Sequence, residues 1–319
     1  MKKIGVLTSG GDGPGMNAGI RSVVRSALSE GLEVAGIIRG YQGLIDDDVI
    51  PMNHRSVANI INRGGTILKT ARSEEFKTDE GQKKALATLK KHNIDALVVI
   101  GGDGSYRGAR DLLQKYNFPV VALPGTIDND LCGTDQTIGC HTAVHTALEA
   151  IDKIRDTVHS MERIFVIEVM GNHSGYIAME VAVGSGAEEL LVPERPFDYE
   201  KICAKIKKGH ESGKISWMIV TAEGAAKAPE VAEAIGTRTG FETRFVVLGH
   251  IQRGGVPLAP DRILATRLGA AAVDLLVKGE SGKAVGVVKR QINVVPLTVA
   301  CEKQNSLLEE YYRLIEVLT

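Results

Sequence analysis

Ile4-Gly5-Val6-Leu7-Thr8-Ser9-Gly10-Gly11-Asp12-Gly13-Pro14-Gly15-Met16-Asn17 decides how this chain is read. The apolar run at its start is short and lacks strict alternation, the pattern of a strand buried on both faces. Beyond Asn17 the period changes: Ile20, Val23, Val24, Ala27 and Leu28 fall on one helix face. Strand, glycine-dense turn and helix, in that order, is the geometry of a phosphate-binding loop. Glycines let the backbone approach an anion, and the free N–H groups and helix N-terminus favour negative charge. A tight turn needing positive φ would use glycines in the same way. Gly13-Pro14-Gly15-Met16-Asn17-Ala18 also matches the dinucleotide pattern G-x-G-x-x-A. That match is weak, because the second strand begins at Glu33 and ends by Arg39, with no acid at its end to hold a ribose.

The same alternation runs along the whole sequence. Apolar runs at 34–38, 96–100, 120–123, 164–169, 217–221, 245–248 and 285–288 read as further buried strands. Helical patterns lie near 81–92, 105–116, 143–158, 199–211, 261–277 and 306–317. Strand and helix in alternation imply an α/β fold with mainly parallel sheets. A chain of 319 residues is long enough for two domains with cores of their own. The stretches 131–140 and 254–260 are candidate boundaries.

The net charge is −1, so no global basic field draws the chain to nucleic acid or to an anionic membrane. No apolar run reaches the length of a membrane span, and residues 4–7 are too short for a signal core. Cys132, Cys140, Cys203 and Cys301 form no CxxC pair. Free thiols in a reducing cytoplasm are expected, and a zinc site is not.

A second glycine loop, Gly101-Gly102-Asp103-Gly104-Ser105, follows the strand at 96–100. A carboxylate inside a phosphate cradle repels the anion unless a cation lies between them. Mg²⁺ bridging Asp103 and phosphate oxygens answers that need; Asp103 as a helix N-cap is the plainer alternative. GxxxxGK[ST] is absent, so this is not a P-loop chain. A third loop, Pro124-Gly125-Thr126-Ile127-Asp128-Asn129-Asp130, puts two carboxylates and a hydroxyl within five residues. Phosphoryl transfer to an alcohol needs a group that accepts the alcohol proton, and an aspartate here can serve. An Asx-rich turn satisfying its own backbone would look the same.

These motifs together resemble the bacterial ATP-dependent 6-phosphofructokinase family. The resemblance adds Arg63-Gly64-Gly65-Thr66, Thr70-Ala71-Arg72, Met170-Gly171, His173 and Gly175, and Ala222-Glu223-Gly224. It closes with Arg244, Gly249-His250, Gln252-Arg253-Gly254-Gly255 and Asp261-Arg262, and covers essentially the whole chain in order. It implies two doubly wound three-layer domains in the phosphofructokinase fold. Residues 1–138 plus 256–302 would bind ATP, and residues 139–255 plus 303–319 would bind fructose 6-phosphate. Gly11 would hold a phosphate, Arg72 would bridge the transferring group, Asp103 would bind Mg²⁺, and Asp128 would be the base beside Thr126 and Asp130. Tyr41, Ser73, Gly102, Gly104, Ser105 and Gly108 would complete the ATP site. Met170, Gly171, Asn172 and Glu223 would orient the sugar, and Arg163, Arg244, His250 and Arg253 would hold its 6-phosphate. Arg163 and Arg244 would come from a neighbouring subunit of a homotetramer.

The phosphoryl donor is argued from Gly104 and Gly125, where pyrophosphate-using relatives carry aspartate and lysine; small residues leave room for a nucleotide. Arg21 and Arg25, at i, i+4 on one helix face, can point at one anion. With Arg155, Gly186, Glu188 and Lys214 they match the pocket in which relatives bind the effectors ADP or phosphoenolpyruvate.

Five positions depart from the family pattern. Asn172 replaces an arginine, Cys140 an aromatic residue and His141 a carboxylate; the loss of the arginine and the carboxylate is expected to lower turnover. Ser212 and Ser216 stand where relatives have a basic residue and often a histidine, which is expected to weaken phosphoenolpyruvate inhibition.

Overall fold

The structure, a computed structural model, describes residues 1–161, 163–302 and 309–318. In chain order the first elements are β1 (Lys3–Ser9), α1 (Met16–Ser29), β2 (Glu33–Ile37), α2 (Gly40–Ile45) and β3 (Val49–Met52). Next come α3 (Asp79–Lys91), β4 (Ala96–Gly101), α4 (Asp103–Tyr116), β5 (Val120–Thr126) and the short β6 (Ile138–Gly139). The chain continues with α5 (Cys140–Met161), β7 (Ile164–Val169), α6 (Tyr176–Ser185), β8 (Glu189–Leu191) and α7 (Tyr199–Glu211). Then follow β9 (Trp217–Ala222), α8 (Ala228–Thr239), β10 (Thr243–Val247), α9 (Ala259–Val277), β11 (Lys283–Val288), β12 (Gln291–Pro296), α10 (Leu297–Ala300) and α11 (Glu309–Leu318). All eight expected strands appear. Residues 306–308 of the expected last helix lie outside the described residues, as does 303–308 of the segment assigned to the sugar-phosphate domain.

The chain divides into two compact units. One comprises Met1–Ile127, Leu131–Thr142 and Arg253–Gln304; the other comprises Asp128–Asp130, Ala143–Gln252 and Asn305–Thr319. The first holds a sheet ordered β12-β11-β5-β4-β1-β2-β3, with β6 beside β5. Its strands are parallel except β3 and β12, which run antiparallel at the two edges. Alternate side chains explain the layering. Ile4, Val6, Val98, Ile100, Val121 and Leu123 pack with α1 and α9 on one face. Leu7, Leu97, Val99, Val120 and Ala122 pack with α3 and α4 on the other. The edge strands were missed in the sequence because Pro51 breaks the pattern of β3 and β12 keeps one exposed face.

The second unit has a parallel sheet ordered β10-β7-β9-β8. Ile164, Val166, Leu191 and Ile219 meet α7 and α8 through Ile202, Ile206, Val231 and Ile235. The helix α6 packs against β8 and β9, and α11 against α6 and β8.

The hairpin of β11 and β12 turns on two residues, since Val288 pairs with Gln291. Both turn residues have positive φ, 49° at Lys289 and 68° at Arg290. That is the type I′ conformation, which favours an asparagine followed by a glycine and strains larger side chains. The double substitution Lys289→Asn/Arg290→Gly keeps the backbone bonds from Lys289 N–H to Asp135 and from Arg267 to the Arg290 carbonyl, because both use main-chain atoms of the turn. It should stabilise the protein by about 1 kcal/mol, raising the melting midpoint by roughly 2–4 °C. An unchanged or lower midpoint in a thermal melt would count against the strain.

Candidate active site

The strand order of the first unit reverses between β1 and β4: later strands are added beyond β4 on one side and beyond β1 on the other. In an open parallel sheet this switch point is where loops diverge at the C-terminal edge and leave room for a ligand. The two glycine loops follow β1 and β4, one on each side of it. The register sets Ser9 beside Gly101 and Gly101 beside Pro124, so the loops after β1, β4 and β5 lie in adjacent positions.

The glycines of the first loop have different causes. Gly10 and Gly15 have φ of 84° and 105°, so the turn itself requires glycine there. Gly11 does not have positive φ; a Cβ on it would stand 2.9 Å from Cζ of Arg253. The Arg253 guanidinium lies on this loop and donates to the Asp12 carbonyl at 3.1 Å. Asn17 fixes the neighbouring segment. It is 1% exposed, donates to the carbonyls of Arg63 and Gly64, and accepts from Ile67 N–H at 2.8 Å. A side chain on Gly64 would run into the Gly255 carbonyl, which accounts for that glycine of the motif.

In the second loop α4 begins at Asp103, with Gly102 as N-cap and no side-chain capping bond. The N-cap alternative for Asp103 therefore fails. Its carboxylate instead pairs with Arg107 one turn on, at 2.9 Å, and stays partly exposed. Among the described residues no group of three or more His, Cys, Asp or Glu could hold a metal. The one hard oxygen donor of Asp103, on a phosphate-type loop, fits Mg²⁺, which is bound through one or two carboxylates plus substrate phosphates. The Ser105 hydroxyl is buried without a hydrogen-bond partner and lies 3.4 Å from where a Gly10 Cβ would be. Ser105, in the first turn of α4, thus borders both glycine loops.

Tyr41 enters differently from expectation. It is 5% exposed, stacks on Phe76 at 4.1 Å and donates to the Ser105 carbonyl at 2.6 Å. Burial pushes its phenol well up. A Cβ on Gly108 would stand 2.7 Å from the Tyr41 ring. Tyr41 and Gly108 therefore brace the start of α4, and Tyr41 offers no open aromatic face. Ser73 likewise bonds Gln42 at 2.8 Å and accepts from Phe76 N–H, while Arg72 is exposed. Gly104 faces open space, since nothing lies within 4 Å of a Cβ there. Gly125 does not: a Cβ would stand 2.8 Å from Ile100 and 3.1 Å from Met16. Its smallness answers to core packing, so the donor argument falls on Gly104 alone. Thr126, Asp128 and Asp130 are half-exposed, with Ile127 and Asn129 buried between them.

In the second unit, Met170 follows β7, Glu223 follows β9 and His250 follows β10, all at the C-terminal edge of one parallel sheet. Glu223 Oε1 accepts from Gly171 N–H at 3.3 Å and Asn172 N–H at 2.9 Å. Asn172 has φ of 53°, a left-handed position that asparagine takes readily. A side chain on Gly224 would collide with the Asn172 carbonyl. Arg163 and Arg244 lie at the other edge, where β7 and β10 begin. Both bind Glu242, Arg163 at 2.9 Å and Arg244 at 2.5–2.9 Å. Arg244, then Arg163, hold the Glu242 carboxyl below its usual range. Six strand residues separate the two groups, roughly 20 Å at about 3.3 Å per residue.

A family model described as Phosphofructokinase matches residues 3–276. The chain belongs to the phosphofructokinase family. It is 54% identical to the ATP-dependent 6-phosphofructokinase 1 of Thermus thermophilus over 100% of this chain and 99% of that protein. It is 53% identical to the ATP-dependent 6-phosphofructokinase of Shouchella clausii over the full length of both. Among solved structures, phosphofructokinase from Saccharomyces cerevisiae superposes with a TM-score of 0.87 at 35% identity, covering 94% of this chain and 45% of that one.

Of the residues matched to the phosphofructokinase effector pocket, Arg21 and Arg25 lie on α1 in the first unit. Those of the second unit cluster. Arg155 donates to the Ser185 carbonyl, and Lys214 pairs with Glu188 at 3.1 Å. Gly186 takes φ of 63° beside them. Lys214 also lies 4.9 Å over the Trp217 ring. Asn17, Glu242 and Gln252 were assigned no role from sequence. Gln252 is fully buried and accepts from Met170 N–H at 2.9 Å. Asn17 and Gln252 lay within the motifs quoted and Glu242 lay in none of them; only the partner atoms reveal what each holds.

Proposed function

We propose that this chain is an ATP-dependent 6-phosphofructokinase that phosphorylates the 1-hydroxyl of fructose 6-phosphate, a glycolytic step. The observation that carries this reading is the pair of glycine cradles at the switch point of the first unit, with a carboxylate loop following β5 in the chain. Asp128 accepts the proton of the sugar 1-hydroxyl as its oxygen bonds to the γ-phosphorus. The bond from that phosphorus to the β–γ bridging oxygen breaks, ADP leaves, and Asp128 returns its proton to solvent. Backbone N–H of Gly11 and the Arg72 guanidinium neutralise charge on the moving phosphoryl group. Asp103 would hold Mg²⁺, which supplies charge neutralisation across the donor phosphates. The open side of Gly104 supports a nucleotide donor over pyrophosphate. The glycine loops and residues 1–138 plus 256–302 are the ATP domain in this reading, and residues 139–255 plus 303–319 bind the sugar phosphate.

Arg163 and Arg244 stand at the sheet edge opposite Met170, Glu223 and His250. That separation supports a homotetramer in which these arginines serve a neighbour's site, and the glycolytic role goes with a cytoplasmic location. A coupled assay with ATP and fructose 6-phosphate should give turnover with Mg²⁺ present, and pyrophosphate should not replace ATP. Faster turnover with pyrophosphate would overturn the donor assignment, and an active monomer in sedimentation would overturn the shared site.

Of the cations matched to the effector pocket in the second unit, Lys214 is already held by Glu188 and the Trp217 face and Arg155 donates to the Ser185 carbonyl, and serines stand at 212 and 216. Phosphoenolpyruvate should therefore inhibit weakly: half-inhibition at roughly 1 mM or above is expected in initial-rate titrations, because each lost charge-assisted contact costs about tenfold in affinity. Sigmoidal inhibition at micromolar effector would contradict this.

A further inference from the structure

In the second unit β7 lies between β10 and β9, and its run Ile164-Phe165-Val166-Ile167-Glu168-Val169 holds a single charge. Glu168 is 6% exposed. A carboxylate taken that far out of water is destabilising unless it is paired and hydrogen-bonded, so its partners account for its presence. Oε2 accepts from Ala228 N–H at 2.8 Å. That N–H opens α8, whose N-cap residue Lys227 makes no side-chain capping bond, so a carboxylate from another strand caps the helix. Oε1 accepts from Lys227 Nζ at 3.3 Å. The same ammonium donates to the Glu223 carbonyl at 3.1 Å. Lys227 thus ties the buried carboxylate of β7 to the backbone of Glu223, a residue matched to the sugar.

The neighbouring bonds run to segments that carry the other residues matched to the sugar phosphate. Glu223 N–H donates to the Val169 carbonyl at 2.9 Å, and the Glu223 carboxylate accepts from Gly171 and Asn172 N–H. Leu248 N–H, two residues before His250, donates to the Glu168 carbonyl at 3.0 Å. Capping α8 needs only the bond to Ala228, and the bridge from Lys227 to the Glu223 carbonyl plays no part in it. We propose that Glu168 and Lys227 are positioning residues for the sugar phosphate: the Lys227 bridge fixes the backbone at Glu223, and with it the carboxylate that orients the sugar. This rests on the kinase reading above. Side chains held from behind in this way keep a binding group in its productive geometry without contacting the ligand.

The test uses the full-length protein with Lys227→Met, Lys227→Arg, Glu168→Gln and the double variant Lys227→Met/Glu168→Gln. Fructose 6-phosphate binding is measured by calorimetry without nucleotide, kcat and both KM values by coupled assay, and the melting midpoint by a thermal scan. The Lys227 side chain is 54% exposed, so Lys227→Met should fold and melt close to the original protein. It should weaken fructose 6-phosphate binding and raise its KM about tenfold, while KM for ATP changes by no more than about twofold. Glu168→Gln keeps an acceptor for Ala228 N–H, loses the charge that holds Lys227, and should move the same constants in the same direction. The double variant should be no worse than the poorer single one, the non-additivity of groups acting together. Lys227→Arg can reach both oxygens and should restore binding to within about threefold. If the glutamine variant melts early, the two Lys227 variants decide. Unchanged affinity for fructose 6-phosphate in Lys227→Met overturns the proposal and leaves Glu168 as a helix cap; so does an equal loss of affinity for both substrates, which marks general loosening. If the unsubstituted protein neither binds nor phosphorylates fructose 6-phosphate, the kinase reading falls and takes the proposal with it; if it does both and the variants match it, the proposal alone falls.

Discussion

Asp128→Asn should lower kcat by about 10³-fold while leaving KM for ATP within a few-fold of the original value. General-base catalysis by a positioned side chain contributes typically 10²–10⁴-fold, and asparagine keeps the size and loses the basicity. Position, not residue type alone, makes Asp128 the candidate. It follows β5, which ends at Thr126, by two residues. Ile127 and Asn129 are 1% and 4% exposed and anchor the loop on either side of it. Asn129 takes φ of 51°, the left-handed position that ends the extended run and redirects the chain. The measurement is a steady-state coupled assay with a thermal melt as control. A loss under tenfold, with the melt unchanged, would remove Asp128 from the role of base.

Asp261→Ala should be the largest single loss of stability, on the order of 3–5 kcal/mol, seen as a fall of roughly 10 °C in the melting midpoint. Asp261 is fully buried in the first turn of α9. Its carboxylate accepts from Gly139 N–H at 2.8 Å, from Thr142 N–H at 2.8 Å and from the Thr142 hydroxyl at 2.5 Å. Those donors belong to the start of α5, whose first N–H groups have no partner within the helix. Alanine strands two buried N–H groups and a hydroxyl, each at about 1–3 kcal/mol. Thr142 Oγ1 in turn accepts from Leu258 N–H at 3.0 Å, so the segment before α9 loosens too.

The same carboxylate sets a pH dependence. Burial raises the Asp261 pKa, and the hydrogen bonds from Thr142 and Gly139 only partly offset that. The folded state then holds the proton more tightly than the unfolded chain. Stability is lost as pH rises from the usual carboxylate range through the raised folded pKa. Asp261→Asn removes this component, so the difference in midpoint between the two proteins should shrink toward higher pH. A difference independent of pH would mean that the carboxylate is not shifted.

The sequence by itself determined the alternating elements and the three loops. Buried parallel strands are continuous apolar runs, and glycine and aspartate clusters after them are legible because their period breaks abruptly. It also determined family membership, since motifs in order survive without coordinates. Tertiary structure alone decided why particular residues stand where they do. Gly11 and Gly125 look alike in sequence, but one lies against the flexible end of Arg253 and the other packs on Ile100 and Met16. Tyr41 reads as a ligand-facing aromatic, yet Phe76 and Ser105 occupy its face and hydroxyl. Arg163 and Arg244 fall among the sugar-phosphate motifs, but they enter the sheet at the edge that Met170 and Glu223 leave. Sequence order records which residues follow one another; it does not record across which strand, or against which atom, a side chain comes to rest.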